Sequence, residues 1–224
     1  MKDFIEQIPQ SLFARSGKVF YSGRNAFATR SDLYVLGVNP GGAPKSHEDE
    51  TIGSHTNDVL NLYPADWSAY RDESWEGAAP GTYGMAPRVL HLFAKLGVNP
   101  GTVPCSNLIF VRSRRENDLK SEMSNLIEMC WSFHEFAIAK LQPKAVLCFG
   151  KTAGTIVRKK LGAHEPNGDD FVEKNNRRWR SQAFENTQGI IVVVATHPSI
   201  ADWTAPNTDP THWISKLLGR NAVS

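Results

Sequence analysis

Cysteine is scarce in this chain. The three present, Cys105, Cys130 and Cys148, are far apart and form no CxxC pair, which argues against a disulfide framework and a cysteine-based zinc site. Two of them stand in apolar surroundings, the setting of inert buried thiols. Long apolar runs are missing as well. No stretch approaches the roughly 20 residues that span a bilayer, and Met1 to Gln10 carry charges without a signal-type apolar segment. An excess of one charge is also absent: 25 Lys and Arg against 23 Asp and Glu leave a net charge of +2. That argues against a histone-like binder, although a local basic patch can still hold a phosphate backbone. There is no repeat and no low-complexity tract. The expectation is a soluble, cytoplasmic, monomeric protein with no membrane partner.

What is present suits one α/β domain spanning residues 1–224. Its 224 residues, 41% apolar, suffice to bury a full core. Four short apolar segments read as strands: Leu33 to Val38, Asn107 to Val111, Ala145 to Phe149, and Ile190 to Ala195. Their near-continuous hydrophobicity fits parallel strands covered on both faces. Helical patterns lie between them. Pro87 opens one at its first turn, with Val89, Leu90, Phe93 and Leu96 on one face and Gly97 at its end. Leu119 to Leu141 repeats apolar residues at three- and four-residue steps until Pro143. A third helix runs from about Thr152 to Leu161. This alternation predicts a three-layer α/β/α sandwich around a central four-stranded, mainly parallel sheet. Two stretches break the rhythm. Residues 42–81 form a long polar and aromatic insertion, expected to be functional or to hold small helices of its own. Ala163 to Asn186 is polar, with a basic run at Arg177, Arg178 and Arg180.

In an open parallel sheet, ligands bind beyond the carboxyl ends of the strands. The distinctive residues fall there. The first strand runs into Asn39-Pro40-Gly41-Gly42, the second into Arg112 to Asn117, the third into Gly150-Lys151-Thr152, and the fourth into Thr196-His197-Pro198-Ser199. Turn chemistry explains the glycines and prolines. It does not explain an Asn and a His beyond the first and last strands.

Leu36-Gly37-Val38-Asn39-Pro40-Gly41 resembles the first motif of the mismatch-specific and single-strand-selective branches of the uracil-DNA glycosylase superfamily. Thr196-His197-Pro198-Ser199 resembles the superfamily's second motif. Pro143 to Ala153 and Ser106 to Val111 resemble its third-strand and base-reading segments. The four occur in the family's order between Leu33 and Ser199. The resemblance implies hydrolysis of an N-glycosidic bond in DNA, through a sugar with oxocarbenium character and a departing pyrimidine anion.

Within that resemblance, Asn39 positions water beneath the sugar, and His197 donates a hydrogen bond to the base oxygen that gains charge. Asn107 reads the base. Its amide offers a donor and an acceptor, so it matches uracil one way round and cytosine the other. Tyr83 stacks on the flipped base. Gly41 stands where the strictly uracil-specific branch has a Tyr that blocks C5, which implies tolerance of C5-substituted pyrimidines; the 42–81 insertion would enlarge or lid that pocket. Ile200, or as second choice Trp203, wedges into the emptied stack, because base flipping must be compensated. Ser199, Arg112, Arg114, Arg115, Lys151 and Arg177 to Arg180 are candidates for single- or double-stranded DNA backbone contacts. Arg112 also stands where the iron–sulfur branch has a cluster cysteine, so no cluster and no cofactor are expected.

Bland readings accompany each of these. Asn39 can be an Asn-Pro turn, His197 a turn histidine, Asn107 a loop tie, and Tyr83 a core residue. Gly150-Lys151-Thr152 looks like a P-loop fragment, but the glycine required five positions before Gly150 is Ala145. His47, Glu48, Asp49, Glu50 and His55 lack the spacing of a metal site, and a solvated acidic loop is expected instead. The alternatives kept are a catalytically weak DNA- or base-binding protein of this fold and a nucleotide-processing enzyme. The residues do not separate base-excision repair from defence against modified phage DNA.

Overall fold

The computed structural model describes residues 1–220. Its strands are β1 (Leu33–Gly37), β2 (Cys105–Asn107), β3 (Ala145–Phe149), β4 (Glu165–Pro166), β5 (Phe171–Val172), β6 (Arg180–Glu185) and β7 (Ile191–Ala195). They form one sheet in the order β2-β1-β3-β7-β6-β4, with β5 paired to β6. The β2, β1, β3 and β7 pairings are parallel, and the β6 pairings with β7, β4 and β5 are antiparallel. The parallel core thus has the four strands expected, but the sheet is larger. The extra strands lie in the polar stretch 163–186. There β6 buries Ser181, Ala183 and Phe184 beneath a sequence dominated by Arg, Gln and Glu.

Helices cover both faces of the parallel core. They are α1 (Lys2–Ile5), α2 (Ile52–Asn61), α3 (Ala69–Asp72), α4 (Ala86–Lys95), α5 (Met123–Leu141), α6 (Lys151–Leu161) and α7 (Thr211–Leu217). Alternate strand residues face opposite layers. Tyr34, Leu36, Val146, Cys148 and Val192 pack with residues of α5, α6 and the N-terminal segment. Leu33, Val35, Leu147, Phe149 and Val193 pack with α4 and α7. Helix α5 ends at Gln142, which takes the left-handed conformation (φ 48°) just before Pro143. A capping box between Thr51 and Ser54 starts α2. The 42–81 insertion therefore holds helices of its own, and Ile52, Val59, Trp67 and Tyr70 are buried in the core. It is a wall of the fold.

The second strand differs from its expected range. It spans Cys105–Asn107, so Asn107 closes it instead of opening it. The apolar run after it leaves the sheet edge but stays buried. The Leu108 and Ile109 amides donate to Gly37 and Val38 carbonyls, while the Lys18 amide donates to Phe110 O and that of Arg112 to Ser16 O. Apolar character reported burial here, and backbone partners decided the strand's end.

Helix α6 lies close on β7 because Gly154 has no side chain. A Cβ at Gly154 would meet three side-chain atoms of Val194 at 2.5–2.9 Å. Gly154→Val is expected to destabilise the protein by about 1–3 kcal/mol through overpacking, as measured by urea denaturation. An unchanged midpoint would contradict this packing.

Candidate active site

Strand register sets the geometry. Gly37 pairs with Asn107, and Leu36 with Cys148; Phe149 pairs with Ala195. Asn39 and His197 each stand two residues beyond the end of a strand, on β1 and β7, with β3 between them. Two interstrand spacings separate those strands, about 10 Å. Asn107 ends the neighbouring β2. The carboxyl edge thus carries Asn107, Asn39, the Gly150 turn and His197 in that order.

The Asn39 side chain has one orientation that satisfies its neighbours. Its Nδ2 donates to Pro40 O (2.9 Å) and to Ser113 Oγ (2.9 Å), with Val111 O at 3.5 Å. Ser113 Oγ itself donates to Arg115 O at 2.8 Å. Every partner of the amide is an acceptor, so the NH2 group must face inward, and Oδ1 is left as the acceptor for an incoming group. In the sequence, Ser113 reads as one more residue of a polar turn.

His197 is fixed as tightly. Its Nδ1 accepts from the Ser199 amide (3.1 Å) and lies 2.8 Å from Ser199 Oγ. A backbone N–H can only donate, so Nδ1 carries the lone pair and Nε2 the hydrogen. Desolvation lowers the ring's pKa from 6.5 to about 4, which keeps it neutral at physiological pH. The ring stands edge-on to Phe149, centroids 6.1 Å apart, and over Gly150, where a Cβ would approach its carbons to 3.4 Å.

Two arginines hold the loop after His197. Arg88 of α4 donates to Pro198 O at 2.5 Å, and Arg177 donates to Ile200 O at 2.8 Å. Arg177 also pairs with the buried Glu173 at 3.2 Å and stacks on Trp179. Ile200 projects from this loop with 56% exposure. Trp203, the second-choice wedge, is fully buried against Phe149 and cannot insert anywhere, so that expectation is corrected.

Other expected residues separate into groups. Asn107 is buried at the end of β2, and burial of the neighbouring Tyr21 hydroxyl raises its pKa. A Cβ at Gly37 would overlap Asn107 Oδ1, so the backbone there must be bare. Gly41 is exposed, with open space where a side chain would be. Tyr83 is 47% exposed in the turn before α4. Arg114, Arg115, Lys151, Ser199, Arg178 and Arg180 are exposed. Arg112 is corrected: it is buried, donates to Gly41 O and ion-pairs with Glu50, so it supports the loop from within instead of meeting a phosphate. The Thr152 hydroxyl, the third residue of the P-loop-like fragment, donates to Glu116.

Beside Arg112 lies a polar group whose distant parts the sequence did not join. Lys18 Nζ sits 2.6 Å from Glu73 Oε1 and 3.0 Å from Glu50 Oε1. Trp75 Nε1 donates to Glu73 Oε2 at 2.6 Å. Donor atoms of Glu50, His55 and Glu73 fall within 4.8 Å of one another, a spacing that suits a metal ion. The Lys18 ammonium, however, already bridges both carboxylates and Arg112 adds a second positive charge, so the donor set fits a dication poorly.

No protein-family model matches the chain, and no curated protein matches it at a significant level.

The histidine has a direct test. Its unfolded value lies near 6.5 and its folded value near 4. The unfolded chain therefore binds more protons in that window. The stability gained by keeping the ring neutral is complete above about pH 6.5 and lost as pH falls toward 4. Buried His134, also lowered to about 4, acts in the same direction. Nitrogen-detected NMR titration should show the Nε2–H tautomer of His197 persisting to a midpoint near pH 4. A midpoint near 6.5 would contradict the desolvated site.

Proposed function

We propose that this protein is a monofunctional DNA glycosylase of the uracil-DNA glycosylase type, acting on a flipped uracil or C5-modified pyrimidine and leaving an abasic site. The observation that carries the reading is the pairing of two opposed, pre-set groups on one sheet edge. Asn39 presents a carbonyl acceptor, and His197 presents a neutral N–H donor. The four motif resemblances fall along the same edge and support it.

Water held by Asn39 Oδ1 attacks the sugar as the base departs. An amide is a poor base, so the rate rests on placement and on the fate of the leaving group. His197 Nε2–H meets the negative charge growing on the pyrimidine O2. A donor already oriented in a desolvated site contributes about 3 kcal/mol to such a step. A neutral imidazole serves better than a charged one would in the resting enzyme, because it can be buried without a counter-ion. Asn107 reads the base edge, and Tyr83 stacks on it from the exposed rim. Ile200 fills the gap left in the helix, on a loop braced by Arg88 and Arg177. Arg114, Lys151 and Ser199 meet the DNA backbone. The open space at Gly41 leaves room beside C5. No lysine nucleophile is implicated, so the strand is not cut by a lyase step. The enzyme acts as a monomer in the cytoplasm, in base-excision repair or against modified phage DNA.

Engagement of the Thr152 hydroxyl by Glu116 weighs against a nucleotide-processing site. A non-catalytic DNA-binding protein would bind the same oligonucleotides and release no base.

Alkaline cleavage of pyrimidine-containing oligonucleotides should reveal abasic sites. Asn39→Ala and His197→Ala should each slow their formation by about 10²–10³-fold. Ser113→Ala should lower kcat with little change in KM, because it releases the Asn39 amide without touching the substrate. DNA binding by the wild type without abasic sites would overturn the reading.

A further inference from the structure

A hollow lies at the amino ends of the parallel strands, opposite the edge that carries Asn39 and His197. It is a cavity of about 510 Å³, lined by residues from four separate stretches, 25–33, 96–103, 142–144 and 218–220. That volume is in the range of small-molecule sites. Strand β1 starts at Leu33 in this cavity and ends at Gly37, two residues before Asn39. At about 3.3 Å per residue, a guest here stands roughly 20 Å from Asn39 and cannot touch a base held there. A ligand in this cavity is therefore independent of the glycosylase reading.

The floor is aliphatic. Leu33, Leu96, Val98, Val103 and Leu218 line it. Leu33, Leu96, Val103 and Leu218 keep 3–4% exposure, whereas Val35 and Leu147 of the same layer keep none. The core is thus open at this point. Among the described residues no aromatic ring lines the cavity, so a flat heterocycle has nothing to stack on.

The rim is cationic. Arg30, Lys144 and Arg220 line it against the single carboxylate of Asp32. Asp32 lies 2.7 Å from Arg220 and 3.3 Å from Lys144. The Arg220 hydrogen bond, with Lys144 adding to it, lowers the Asp32 pKa against the effect of desolvation, so this carboxylate stays charged. The exposed Arg30 side chain makes no ion pair with a described residue. Positive charge is therefore in surplus beside an uncovered apolar floor. A cationic guest would be repelled, and a neutral aliphatic guest would leave the surplus unmet. A bare inorganic anion would leave the floor uncovered.

We propose that this cavity binds a small organic anion with an aliphatic body. Its carboxylate or phosphate head meets Arg30, Lys144 and Arg220 at the rim, and its chain covers Leu33, Leu96, Val103 and Leu218.

The test follows the methyl groups of the intact chain by NMR during titration with octanoate, octyl phosphate, octan-1-ol or inorganic phosphate. Octanoate or octyl phosphate should give saturable shifts at Leu33, Leu96, Val103 and Leu218 and raise Tm, and the tighter of the two identifies the head group. Octan-1-ol and inorganic phosphate should each bind at least about tenfold more weakly. Arg30→Glu combined with Lys144→Glu, both at exposed positions, should weaken the amphiphile at least about tenfold. Thr102→Trp, on the exposed part of the rim, should obstruct the chain while leaving every charge in place. Equal binding of octan-1-ol would overturn the selection of an anion, and equal binding of inorganic phosphate would overturn the role of the aliphatic floor. The absence of saturable shifts with both amphiphiles, or an affinity unchanged in both variants, would overturn the site itself. None of these readouts depends on whether the protein excises a base.

Discussion

Covering four parallel strands on both faces constrains everything else in this protein. Once β1, β2, β3 and β7 are sealed between helices, their side chains must be apolar and their backbone groups must pair within the sheet. Polar chemistry is then confined to the ends of the strands. Parallel pairing places all four carboxyl ends on one edge, so residues more than 150 positions apart in sequence become neighbours across two strand spacings. Asn39 and His197 gain their relation from this register, with no direct contact between them needed.

What the edge supplies beyond proximity is fixed polarity. Amide and imidazole groups are ambiguous by nature, since each can present a donor or an acceptor. Here the ambiguity is removed by second partners. Ser113 and two backbone carbonyls turn the Asn39 amide so that its oxygen is free. The Ser199 amide turns His197 so that its Nε2–H is free. The same desolvation that keeps His197 neutral makes its one remaining donor more effective, because less water competes for it. In the proposed reaction, this order is set during folding and costs little at the moment of bond cleavage.

Much of this was legible in the sequence, for a physical reason. Strands buried on both faces must be almost wholly apolar, so β1, β3 and β7 stand out within a residue of their true ends, and the polar residues just past them mark the edge. The α5 and α6 patterns and the Pro143 stop are similarly strong local signals. Other features depend on partners remote in sequence. Apolar character could not say that β2 ends at Asn107, because Leu108 to Val111 are buried through contacts with residues 16–18. Strand β6 hides its buried residues between polar ones. Arg112 reads as a surface cation until Glu50, 62 positions away, is seen to hold it. Ser113 and the Lys18 group were invisible for the same reason: a serine in a turn and a lysine near the N-terminus have no local pattern that announces a partner.

In the proposed reaction, this edge breaks a base–sugar bond with water as the only other reactant. Mass spectrometry of a single-turnover reaction tests it most directly, with enzyme in excess over a pyrimidine-containing oligonucleotide and borohydride present in a parallel sample. The expected products are one equivalent of intact free base and a strand of abasic mass, with no borohydride-trapped protein–DNA adduct. A strand that keeps its base under these conditions, or a trapped covalent adduct, would contradict it.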